Sequence, residues 1–343
     1  MITIKSGGAA KLLELLENVV RSGRAPTDEE IDNVLSTESM SFMIQAYSWG
    51  PEFSREGYEA ILGNLTKPNP LSKGLILSKL EDGLRSCLNY EKITLLHQRL
   101  DKIVKLDFAK AEQTALKYLP PKTPIKTTIY LTIDGFNTGM MFEGNASLSI
   151  LMFDPDKFDV AGFSHELHHT GFEYWIKRNP KLQALLKEDK LYEGIIAKLI
   201  VNLLSEGLAN YFCSPMMLHP PENAPERHKE KVTKYEQNLN QMVKEIQSLL
   251  SDCLSKAVPV ESCKDRLMKI LLDPEGILPP IHFVGGRIIE MFDKDPKINR
   301  SEIFNLCKQP AHFFALYSRV AEKRGMPPFP ENLVKQISSL VRS

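Results

Sequence analysis

Residues 162–175 read Gly-Phe-Ser-His-Glu-Leu-His-His-Thr-Gly-Phe-Glu-Tyr-Trp, and within them His165, Glu166 and His169 satisfy the pattern HExxH. Positions four apart lie on one face of a helix, so both imidazoles can reach a single divalent ion. Zinc accepts imidazole nitrogen at about 2.0–2.1 Å and, where it is catalytic, keeps one coordination position open for water. Glu166 stands one residue along, about 100° around a helix of 3.6 residues per turn. A carboxylate there lies beside the activated water, not on the metal, and can take its proton and later hand it to a departing amine. The apolar tract Val160-Ala-Gly-Phe163 ahead of the motif predicts a half-buried helix. Three histidines and a glutamate within five residues are poor material for a core.

Two imidazoles need a third protein ligand, and Glu206 is the best candidate. It sits in Leu203-Leu-Ser-Glu-Gly-Leu-Ala-Asn-Tyr211, on a second apolar helix. A buried carboxylate requires a cation or hydrogen-bond donors to offset its desolvation. The alternative is a partly exposed helix residue in an ordinary ion pair. Gly207 beside it would let this helix and the HExxH helix approach closely. His168 is three residues from His165 and competes with His169 as a ligand. The spacing favours His169 and leaves His168 a supporting or surface role.

HELHH at 165–169 followed by EGLANYF at 206–212 resembles the gluzincin metallopeptidases. More closely, it is similar to uncharacterised bacterial families described as zinc-dependent peptidases. The resemblance covers about residues 125–215 well, 281–292 weakly and the N-terminal helices hardly at all. It implies one zinc ion, a peptide or protein substrate, and amide hydrolysis in a cleft between the HExxH helix and a small sheet. It also implies an edge strand that pairs with extended substrate, and Ser147–Phe153 occupies the matching place. Asn210, four residues after Glu206, stands where gluzincins often carry an acid that supports a ligand, and its carbonyl oxygen could orient an imidazole. For the oxyanion, Pro280-Ile-His-Phe-Val-Gly-Gly-Arg287 is the most suggestive segment, with His282 as donor or Arg287 as a clamp on a substrate carboxylate. The spacer from His169 to Glu206 is about twice that of thermolysin-like gluzincins, implying an inserted loop or helix within Asn179–Glu193.

Other classes fare worse. A catalytically silent zinc- or peptide-binding protein on the same fold would hold metal without hydrolysis. A di-iron carboxylate bundle needs a second ExxH, which the chain lacks. A GxSxG element for a serine hydrolase is also missing.

The elements that must position these residues follow from periodicity. Residues 1–120 read as a helical region, with Thr27-Asp-Glu-Glu30 as a capping box. Residues 121–215 read as a zincin-like core, with strands at Thr127–Ile133 and Ser147–Phe153 and helices at about Phe158–Lys177 and Leu191–Tyr211. Residues 216–343 read as a C-terminal helical region completing the cleft. The fold class expected is therefore mainly α with a small β-sheet (α+β).

Lys plus Arg equals Asp plus Glu at 43 each, with no dense basic run, so a nucleic-acid partner is not expected. The N-terminal segment is amphipathic and lacks the pattern of a signal peptide, and no uninterrupted apolar run nears the roughly 20 residues of a membrane helix. Five scattered cysteines without a CxxC pair read as reduced thiols, with Cys253–Cys263 the one conceivable bridge. A cytoplasmic location is the expectation. His97, His219, His228 and His312 read as incidental.

Overall fold

A computed structural model describes residues 2–48, 53–71, 74–157, 160–188 and 191–342. The chain forms two compact units, Met1–Ala109 with Ile125–Val160, and Lys110–Pro124 with Ala161–Ser343. Among the described residues, helices dominate both, and the one sheet has four strands, so the mainly α architecture with a small sheet is observed.

The first unit packs amphipathic helices around the sheet. Gly7–Ser22 buries Leu12, Leu13, Leu15 and Leu16 at the spacing of one helical face. The helix Asp28–Leu35 starts with the expected capping box: the Glu30 amide donates to Thr27 Oγ1 at 3.2 Å, and Glu30 Oε2 accepts from the Thr27 amide at 2.8 Å. The strands β1 (Ile2–Lys5), β2 (Thr127–Thr132), β3 (Gly139–Phe142) and β4 (Asn145–Ser149) lie in the order β1-β2-β4-β3. β1 and β4 run parallel to β2, and β3 pairs antiparallel with β4.

This sheet corrects two expectations. The strand expected over 147–153 is β4, two residues earlier, and it is paired on both sides instead of forming an edge. The shift comes from a two-residue hairpin turn inside the segment expected to be a loop. Glu143 and Gly144 both adopt positive φ (48° and 80°), as such a turn demands, and this places β3 on the outside. The antiparallel edge is therefore β3. The expected division at residues 120 and 215 also differs from the observed one. β1 recruits β2 from more than a hundred residues away, so the strands belong with the N-terminal helices. Four residues are too few for β1 to show a period in sequence.

In the second unit the expected helices form with small shifts. Val160–Ile176 carries HExxH, and the expected start at Phe158 lies outside the described residues. Asn179 caps a short helix, Pro180–Leu186, inside the spacer where an insertion was expected. Tyr192–Leu208 carries Glu206 and continues as a π-helical turn over Ala209–Cys213. By length and composition, Tyr192–Cys213 is apolar enough to cross a membrane. Its apolar surface is instead spent within the unit, against the helices Pro180–Leu186, Glu226–Ser255, Val260–Leu271 and Pro280–Asp293. All five cysteines are buried and free, Cys253 and Cys263 included.

Candidate metal centre

His165 and His169 project from one face of the helix Val160–Ile176, one turn apart, with ring centroids 4.6 Å and Nε2 atoms 2.9 Å from each other. Glu206 reaches the same point from the helix Tyr192–Leu208. Its Oε2 lies 3.4 Å from His165 Nε2 and its Oε1 lies 3.4 Å from His169 Nε2. Among the described residues these three form a group whose ligand atoms all lie within 4.8 Å of one another.

The donor set suits zinc. Four ligands about 2.0–2.1 Å from a tetrahedral centre are about 3.3 Å apart. Both carboxylate–imidazole separations match that edge, and the imidazole pair would need to open only slightly. Two nitrogens and one oxygen are the donors of a catalytic site, which keeps a place for water.

Close helix contact brings a fourth group in. A Cβ on Gly207 would lie 2.7 Å from the Gly285 carbonyl, and one on Gly285 would lie 2.4 Å from the Leu203 carbonyl oxygen. The helix Pro280–Asp293 therefore packs on the Glu206 helix backbone to backbone. The close approach at Gly207 is therefore to this helix, not to the HExxH helix as expected. Through it His282 Nδ1 comes within 3.3 Å of Glu206 Oε2.

The electrostatics follow from that crowding. Burial works to raise the Glu206 pKa, but His169, His282 and hydrogen bonds from His165 and His169 hold it well below the carboxylate range. For His169, burial pulls the imidazole down, yet the Glu206 carboxylate outweighs it and raises the ring to about 9. In His282 burial wins and the pKa is lowered, with Glu206 offsetting only part. Glu166, half-buried, is near enough to pull both His169 and His282 upward.

His169 Nδ1 lies 2.7 Å from Ser205 Oγ. With the Nδ1 proton donated to that hydroxyl, Nε2 keeps its lone pair for a cation. Sequence reasoning missed Ser205, although its place beside Glu206 was a signal: the residue before a ligand on a helix can reach the turn of the partner helix. Asn210 behaves differently from expectation. Its Nδ2 donates to the Glu206 carbonyl at 2.8 Å and lies 3.4 Å from Oε2, while Oδ1 is buried without a partner, as is His165 Nδ1. It therefore steadies Glu206, one helical turn earlier, not an imidazole, with the same bond to the fourth residue back that Asn202 makes to the Lys198 carbonyl.

His168 is neither ligand nor surface residue. It is fully buried, Nε2 lies 3.2 Å from the Tyr118 carbonyl, and burial lowers its pKa to about 3, leaving a neutral ring that anchors residues 110–124. Arg287 is not placed as a free clamp. Its guanidinium pairs with Glu236 and Glu290, and Nη1 contacts His219 Nε2 at 3.0 Å. Two carboxylates already balance its charge. His219, read as incidental, belongs to that network.

One protein family matches over residues 31–325, the family described as "Putative zinc dependent peptidase (DUF5700)". No curated protein and no solved structure matches the chain.

Proposed function

The chain belongs to this zinc-dependent peptidase family, and from that premise we propose that it hydrolyses peptide bonds, with one zinc ion held by His165, His169 and Glu206. The observation that carries the reading is the convergence of two imidazoles and one buried carboxylate from two separate helices. When bound, zinc supplies Lewis acidity that activates water near neutral pH and polarises a carbonyl.

The remaining work falls to this chain's side chains. Glu166, next to a ligand and turned off its axis, accepts the water proton on its carboxylate and returns it to the leaving amine. Ser205 fixes the His169 tautomer, and Asn210 steadies Glu206. His282, neutral at physiological pH, has one ring proton to place. On Nδ1 that proton goes to Glu206; on Nε2 it can serve the carbonyl oxygen as negative charge grows there. The substrate is an extended peptide or protein segment.

Metal analysis and a peptide-library screen of the wild type and Glu166→Gln test the reading. Both proteins should hold one zinc per chain, with turnover about 10²–10⁴-fold lower in the variant. Equal turnover removes Glu166 from the chemistry. Zinc bound with no turnover in the wild type makes the protein a silent metal binder.

A further inference from the structure

The helices Glu226–Ser255, Val260–Leu271 and Pro280–Asp293 of the second unit enclose a groove of about 440 Å³ that has no part in the chemistry above. That volume falls within the roughly 300–1,000 Å³ of small-molecule sites. Its floor is apolar: Tyr235, Met242, Ile246, Ile270 and Val284. Along the longest helix the lining runs from Lys234 to Ile246, a span of about 18 Å at 1.5 Å per residue. The shape suits an extended chain better than a compact ring.

The rim carries uneven charge. Arg266 is spoken for, with Nη1 2.6 Å from Asp252 Oδ2. Lys234 and Lys269 also line the groove, and neither joins an ion pair among the described residues. Glu245 is the one carboxylate in the lining. Two ammonium groups against one carboxylate favour an anionic end on the occupant, and the floor favours a hydrocarbon body.

We propose that this groove binds an unbranched alkyl carboxylic acid, its chain along the apolar floor and its carboxylate on a rim lysine. Pro280 and Val284 line the groove, while His282, two residues from each, lies about 200° around the helix. Groove and metal cluster thus use opposite faces of one helix. The inference does not rest on the peptidase reading, and its readout is binding.

Calorimetric titration of the full chain with dodecanoate, below its micelle concentration, tests it against dodecanol. One dodecanoate should bind per chain, with dodecanol at least tenfold weaker. The double variant Lys234→Glu, Lys269→Glu, altered only at exposed positions, should weaken dodecanoate at least tenfold. Met242→Trp, which fills the floor, should abolish binding, with zinc content and circular dichroism checking that the fold persists. Absence of dodecanoate binding to the wild type overturns the proposal. So does equal affinity for dodecanol, or a double variant that binds dodecanoate as the wild type does. Should Met242→Trp not fold, the lysine variant and the alcohol decide alone.

Discussion

Two buried carboxylates, one in each unit, meet burial with different neighbours. Asp134, just beyond β2, is almost wholly buried and accepts the amides of Phe136 at 2.6 Å and Asn137 at 3.2 Å, plus the Tyr47 hydroxyl. Every donor is neutral. Burial raises its pKa, and those hydrogen bonds draw it only partway back. Glu206 stands among three imidazoles, of which His169 is held charged by it, and its pKa falls well below the ordinary range. The lesson concerns the company a buried acid keeps. Neutral donors tie Asp134 into a closed knot that fastens a loop, whereas the imidazoles around Glu206 make with it a group that could hold a cation.

The sharpest way to break this contrast is to remove each charge in turn. Glu206→Gln should lower zinc affinity by more than the roughly 10–100-fold that loss of a supporting hydrogen bond costs, and hydrolysis should vanish with it. Asp134→Asn should leave zinc affinity as it is. Chelator competition reads both, and an equal loss in the two would erase the distinction.

Backbone contacts offer a second comparison. A Cβ at Gly285 would meet the Leu203 carbonyl oxygen at 2.4 Å, and one at Gly83 would meet Gly135 Cα at 2.8 Å. Each Gly→Ala change should cost about 1–3 kcal/mol in urea denaturation. Only Gly285→Ala should also weaken zinc binding, because the added methyl presses on the backbone at Leu203 and Gly207, which flank Glu206. A Gly83→Ala protein with equally impaired zinc binding would contradict this.

Supporting hydroxyls make a third pair. Ser205→Ala should reduce zinc affinity about 10–100-fold with little loss of stability. Tyr47→Phe should cost about 1–3 kcal/mol of stability, by leaving Asp134 short of a donor, with zinc affinity intact. An unchanged zinc affinity in Ser205→Ala would remove the hydroxyl from the site.

The smallest expected effect is in pH. Because the Asp134 pKa is raised on folding, the folded chain keeps a proton that the unfolded chain releases near the ordinary aspartate value of about 3.9. The resulting stabilisation is complete below that value and fades as pH rises through the raised one. Asp134→Asn lacks the term, so its stability relative to wild type should climb across this window in urea titrations. A difference independent of pH would mean that Asp134 does not titrate differently in the two states.

Much of the candidate metal centre was legible because its chemistry is local in sequence. HExxH puts two rings on one face by helical period alone, and Glu206 stood out as a carboxylate just after the apolar run Leu199-Ile-Val-Asn-Leu-Leu204. His282 was legible as a polar residue ahead of two glycines, although its contact with Glu206 was not. Sheet order was not legible. β1 and β3 are four residues each, too short to carry a period, and the Glu-Gly turn that makes β3 hides in a segment whose composition reads as loop. Asn210 was placed one turn after Glu206 but given another partner, since which way its amide turns is a side-chain choice that spacing does not announce.

Helical period and residue chemistry, readable one segment at a time, were enough to define the ligand types, their helices and the mainly α class. Tertiary structure alone decided which helix faces meet: Gly207 against Gly285, Ser205 against His169, Arg287 against two carboxylates. The physical reason is that a periodic pattern says which face of a helix is apolar but not which other face it will bury against. That choice depends on backbone approach and side-chain volume summed over residues far apart in the chain.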